Sequence, residues 1–155
     1  MNIIIKIILA SIFITSCGIY TFSGASIPSN AKTVSINYFT TTATNSPSSL
    51  KQKITEGLED LILAQTNLKL TELYGDVSFS GNITKYQIIP IAIQANETAG
   101  KNRLTIAIKV KYNNSANNNK SFESSFSSYR DFNSSDNFTD VEDILIEGIS
   151  EELLE

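Results

Sequence analysis

Apolar and polar residues alternate most cleanly late in the chain, where Leu104, Ile106, Ile108, Val110 and Tyr112 are interleaved with Thr105, Ala107, Lys109 and Lys111. A period of two sends these sets to opposite faces of a strand, one for a core and one for solvent or a partner. Thr33–Phe39 has the same rhythm, with Val34, Ile36 and Tyr38 set against Ser35 and Asn37. Thr40–Ser46 reads as a polar loop, and a short strand is expected over roughly Leu68–Leu73. In the next strand Val77, Phe79, Gly81 and Ile83 hold odd positions, whereas Tyr86 and Ile88 hold even ones. A regular strand cannot keep both sets on one face, so a β-bulge is expected near Thr84-Lys85. Apolar extended chain resumes through Ile89–Ile93, where Pro90 requires an edge or an irregularity because it has no N–H to donate. Gln94–Asn102 is a polar turn, Asn113–Asn119 an Asn-rich hairpin loop, and Phe122 to about Phe132 a further strand.

Two stretches follow the helical period instead. Leu50, Ile54, Leu58, Leu61 and Ile62 recur at three and four. Ser46 is expected as their N-cap, with Pro47 at the first helical position and a left-handed end at Asn67. In the last stretch Thr139-Asp140-Val141-Glu142 matches a capping box, and Val141, Ile144, Leu145, Ile149 and Leu153 form the expected buried stripe. Alternating strands and two amphipathic helices predict an α+β two-layer sandwich. Two helices would pack on one face of a mainly antiparallel sheet of about four strands.

The N-terminus is organised differently. Lys6 precedes a short apolar run, Ile7–Ile14, which is below the roughly 20 residues of a membrane span but suits the core of a secretory signal. Ile14-Thr15-Ser16-Cys17 then presents a branched apolar residue, two small residues and the chain's single cysteine. That is the pattern cut by a lipoprotein signal peptidase after the thiol has received a diacylglyceryl group. Residues 1–16 are therefore expected to be a signal peptide, Cys17 the lipidation site, 17–32 a tether and 33–155 one domain. Two or three acyl chains anchor such a protein stably, since each buried CH₂ contributes about 0.8 kcal/mol. No acidic run follows Cys17 that could direct surface export, and no Asp stands next to it. The expected location is the outer membrane, on its periplasmic side.

Composition narrows the chemistry. The chain has 12 basic and 16 acidic side chains, no histidine and no tryptophan. With its only thiol assigned to lipid, it lacks the residues for thiol or histidine catalysis and for the usual zinc and copper sites. Its seven glycines are scattered singly, without a phosphate-binding loop. No cofactor, metal or enzymatic activity is expected, and the mild acidic excess does not suit a general nucleic-acid binder. Candidate contacts to a phosphate-bearing ligand or a partner are Lys101, Arg103, Lys109 and Lys111, together with Gln94, Asn96 and Glu97 of the polar turn. The plainer reading is that the cations keep a sheet face soluble and that the turn is an ordinary long hairpin loop. Arg130 and Asp131 are expected to pair with other charges at the sheet end.

Several segments also resemble one known family. They are Cys17–Gly24, Thr33–Ile36, Gly81–Tyr86, Pro90–Ala99, Asn102–Ile106 and Phe126–Phe132, and together they span the mature chain. In order and spacing they are similar to the LptE family of lipopolysaccharide-assembly lipoproteins. The resemblance implies a two-helix, four-stranded sandwich that fills the lumen of the outer-membrane β-barrel LptD in a 1:1 complex. It further implies help with barrel assembly and with lipopolysaccharide transport, and a final helix longer than this chain shows. A lipid-anchored binding or adhesion module unrelated to barrels, and a hydrolase using Asp or Glu, are the competing readings.

Overall fold

The computed structural model describes residues 27–91, 100–117 and 120–154. Chain order is β1 (Thr33–Ile36), β2 (Thr40–Thr41), α1 (Ser48–Gln65), β3 (Lys69–Leu70), β4 (Val77–Ile91), β5 (Lys101–Asn114), β6 (Phe122–Asn133) and α2 (Phe138–Leu154). The two helices pack against one face of a sheet in the order β3-β1-β4-β5-β6, with β2 beside β4 beyond the end of β1. The architecture is the expected α+β sandwich, but the sheet has six strands and is mixed. β1 runs parallel to both β3 and β4, and β2 parallel to β4, whereas β4-β5 and β5-β6 are antiparallel. The reason lies in α1, which separates β1 from β3. A strand–helix–strand connection returns the chain in the same direction, as tight hairpins cannot.

The core forms where β5 buries Leu104, Ile106, Ile108, Val110 and Tyr112. Val77, Phe79 and Ile83 of β4 join them, as do Leu50, Ile54, Leu58 and Ile62 of α1 and Ile146, Ile149 and Leu153 of α2. The bulge in β4 occurs where the change of parity requires it. Ile83 faces Ile108, the next paired residue is Lys85 opposite Ala107, and Thr84 is the extra one. Its hydroxyl donates to the Ala107 carbonyl at 3.2 Å. Pro90 is tolerated because β2 reaches only to Ile83 along β4, which leaves the far part of that strand with β5 as its one ladder neighbour.

Several local expectations are corrected. The alternation of Thr33–Phe39 breaks at its end, where Tyr38 is exposed and Phe39 is 1% exposed. Residues 37–39 leave the strand, and the Phe39 N–H donates to Thr55 Oγ1 on α1 at 3.1 Å. The Phe39 ring lies over Gly81, where a Cβ would sit 2.1 Å from Phe39 Cε1. The chain then re-enters the sheet as β2, inside the stretch expected to be a loop. Helix α1 starts at Ser48, one residue beyond the expected first position, and Pro47 occupies its N-cap without a side-chain hydrogen bond. At its other end Thr66 is extended rather than Asn67 left-handed. The Thr66 hydroxyl and N–H both donate to the Ile62 carbonyl.

Helix α2 begins at Phe138, so the proposed capping box lies within its first turn rather than before it. The rotation of the helix also differs from the expected stripe, since Ile144 is 72% exposed and Ile146 is fully buried. Apolar residues occupy too much of this helix for periodicity to select one face. Docking selects it instead. Phe138 packs on Phe132 at 5.5 Å between ring centroids, and Glu142 accepts a hydrogen bond from Tyr86 at 2.5 Å. Arg130, which comes from the helix-facing side of β6, donates to the Gly148 carbonyl and pairs with Glu152. The helices meet each other through Lys53–Glu147 at 3.2 Å and through Gly57, which lies beneath Leu154.

The Phe39–Gly81 contact gives a direct test. Gly81→Ala forces the ring to move and should destabilise the domain by about 1–3 kcal/mol, the range for overpacking a filled core. The change should appear in urea unfolding midpoints, and adding Phe39→Leu should recover part of the loss.

Candidate functional site

The sheet face away from the helices is the candidate surface. In antiparallel pairing, directly opposed residues share a face, so the register aligns this surface in rows across three strands. Successive rows are Ile91–Lys101–Asn133, Ile89–Arg103–Asp131, Gln87–Thr105–Tyr129 and Lys85–Ala107–Ser127. Asn82–Lys109–Ser125 and Ser80–Lys111–Glu123 continue it. The alternation of β5 places Lys109 and Lys111 on this face, as expected, and adds Arg103 and Lys101, the latter within the strand rather than in the turn expected over Gln94–Asn102, but the four do not form one cluster. Thr105 and Ala107 divide them into two pairs.

The interactions within each pair are specific. Arg103 makes two parallel hydrogen bonds to Asp131, Nε to Oδ1 at 2.7 Å and Nη2 to Oδ2 at 3.0 Å, and its guanidinium lies 3.8 Å from the Tyr129 ring centroid. Planar guanidinium suits both contacts at once, which lysine could not reproduce. The hydrogen bond from Arg103 holds the Asp131 carboxyl below its ordinary range. Lys109 pairs with Glu123 at 2.6 Å, and hydrogen bonding from that ammonium group lowers the Glu123 carboxyl too. Asp131 was expected to take a charged partner at the sheet end and does so on this face, whereas Arg130 finds its partner on the helix side.

Sequence reasoning missed Lys85. Without a bulge it would continue the inward odd positions of β4, but the extra residue at Thr84 turns it outward. The signal was available in the parity switch itself. Tyr129 and Ile89, both substantially exposed, were also missed, because nothing in their local sequence separates an outer-face apolar residue from a core one. Gln94, Asn96, Glu97 and Cys17 lie outside the described residues. Among the described residues no group of three or more acidic, histidine or cysteine side chains is placed to hold a metal ion. Also among them, no helix is long and apolar enough to cross a membrane.

Residues 31–155 match the family model LptE, Lipopolysaccharide-assembly. The chain belongs to the LptE family. That match covers nearly all of the sandwich and all of its open face. No curated sequence matches the chain. Among solved structures, a minor lipoprotein from Acinetobacter baumannii is 11% identical with a TM-score of 0.46, over 80% of this chain and 90% of that one. The PelC dodecamer from Paraburkholderia phytofirmans gives 13% and 0.45, over 82% and 91%. A putative neuraminyllactose-binding hemagglutinin homolog from Helicobacter pylori gives 12% and 0.48, over 86% and 89%. All three likenesses are loose, and each description belongs to that protein alone.

The ion pairs on this LptE face make its stability depend on pH. Asp131 and Glu123 ionise more readily in the folded state than in the unfolded chain. Their pairing therefore stabilises the fold above the unfolded carboxylate range of roughly pH 4. The contribution is lost as pH falls through their lower folded values. Urea midpoints of the wild-type protein should fall between pH 6 and pH 3, and those of an Asp131→Asn, Glu123→Gln variant should fall less steeply over the same window.

Proposed function

We propose that this protein is a lipid-anchored plug of an outer-membrane β-barrel of the LptD kind. In this role it fills the lumen in a 1:1 complex, helps the barrel assemble and assists lipopolysaccharide on its way to the cell surface. Family membership supports association with lipopolysaccharide assembly. The single observation that carries the plug reading is the open sheet face, which is polar over most of its area and has both helices on its other side. The lumen of a large barrel is wet and polar, so a domain seated there needs such a surface, whereas one seated in lipid would need an apolar band. A folded domain enclosed by a barrel would bury beyond about 2,000 Å², the regime of obligate interfaces. The two proteins should then depend on each other.

Within this reading, residues 1–16 are a signal peptide that is removed, Cys17 carries the lipid, and residues 17–32 connect it to the domain on the periplasmic side of the outer membrane. Cys17→Ala should abolish incorporation of a clickable fatty acid, because the chain has no other thiol. Label retained by that variant would end the lipoprotein assignment. Depletion of the protein should lower the amount of correctly assembled barrel several-fold and raise permeability to large hydrophobic antibiotics. Unchanged barrel levels and permeability would remove the plug role and leave a lipid-anchored binding module in its place.

A further inference from the structure

Charge is divided between the two sides of the sandwich. Across β4, β5 and β6 the open sheet face carries Lys85, Lys101, Arg103, Lys109 and Lys111 against two carboxylates, Glu123 and Asp131. The helix layer is the reverse, and α2 holds six carboxylates and no basic residue. A chain that is net acidic has thus gathered a basic surplus on a broad surface that, among the described residues, no element covers. Solubility alone does not require this, since mixed signs on every face provide it. The same face presents Arg103 between Tyr129 and Ile89, with the arginine held by two hydrogen bonds and the flanking tyrosine 50% and isoleucine 42% exposed. Arginine and tyrosine held in place on an exposed surface are among the residue types that most often anchor a protein interface.

We infer that this face docks on a carboxylate-lined protein wall, and that the acidic helix layer is turned away from it. The inference rests on the plug reading and adds to it the partner's chemistry and the orientation of the plug. The arrangement of the cations favours a wall over a phosphate group. Lys101 and Lys111 stand ten residues apart on one extended strand, about 34 Å. A phosphate site instead needs donors that converge on one point. Arg103, the best phosphate ligand on the face, already has a carboxylate as its bidentate partner.

The test is recovery of the barrel with the full-length protein from detergent-solubilised outer membranes. Lys85→Glu with Lys111→Glu should lower recovered barrel about tenfold or more, as expected when like charges are brought together across an interface. The loss should shrink as salt is raised toward 0.5 M, where exposed charges are screened within a few ångströms. Lys85→Arg with Lys111→Arg, and Asp140→Asn with Asp143→Asn on α2, should recover the barrel at wild-type yield. Circular dichroism and thermal midpoints of each variant establish that it is folded. If the wild-type protein recovers no barrel, the plug reading falls and this inference falls with it. If it recovers the barrel and the double reversal does so equally well, the plug reading stands and the docking face assigned here is wrong. A folded double reversal that keeps the barrel but loses binding to purified lipopolysaccharide would assign the face to glycolipid phosphate and also overturn the inference.

Discussion

Everything in this molecule is arranged around the inward side of β5. Five successive alternate residues there, Leu104 to Tyr112, are buried in the one core cluster that the helices and β4 also enter. Tyr112 shows the dependence most directly. Its ring stacks obliquely on Phe79 at 5.1 Å and on Phe122 at 5.3 Å, so one side chain joins three strands. Burial of this row contributes stabilisation of roughly 1.5–3 kcal/mol per large side chain. It also has a geometric effect of equal importance. With its even positions committed inward, β5 has no choice about where Lys101, Arg103, Lys109 and Lys111 point. The candidate face is the other side of the core, not a separate construction.

That coupling explains why so much of the surface was legible in the sequence and why some of it was not. A period of two fixes side-chain direction residue by residue, so β5, β6 and the bulge in β4 could be read before any fold was known. Tertiary partners are invisible to periodicity, and there the reading failed. Phe39 leaves the alternation of its strand because Gly81 offers a gap and Thr55 offers an acceptor, both far along the chain. Ile144 turns outward because Tyr86 and Phe132 hold α2 in one rotation. Strands are expected at β1 and β3, but β2 and the parallel pairing escaped for a similar reason. Two-residue ladders such as β2 and β3 carry no pattern of their own, and α1 determines their direction.

Charge was legible in kind but not in distribution. Composition gives a mildly acidic chain, which does not suit a general nucleic-acid binder. Helical spacing already gathers acidic residues on the last helix, but only the register shows that the basic ones line up along β5, with Lys85 of β4 beside them. Asp76 belongs to neither layer. Its carboxylate accepts from the Lys32 and Thr33 N–H groups and from the Thr33 hydroxyl, which ties the entry of β1 to the start of β4. Those hydrogen bonds hold it ionised to unusually low pH. The acidic residue here is structural, and a reading from spacing alone could not have separated it from the surface carboxylates.

The single extra residue at Thr84 has a consequence for how such a chain can vary. Beyond it, β4 shows one side to α2 and the other to solvent, while Thr84 itself stands outside the ladder. Substitutions along Lys85–Ile91 change the character of a side while leaving the assignment intact. Removing Thr84 would leave Lys85 directly after Ile83, which is regular alternation, so Lys85, Gln87 and Ile89 would stay outward, Tyr86 would keep its hydrogen bond to Glu142, and only the local bend of the strand would be lost. Related chains are therefore free to lose this one residue and keep the same open face, and a one-residue gap at Thr84 in an alignment of relatives would signal a straighter arm of β4 rather than a different face.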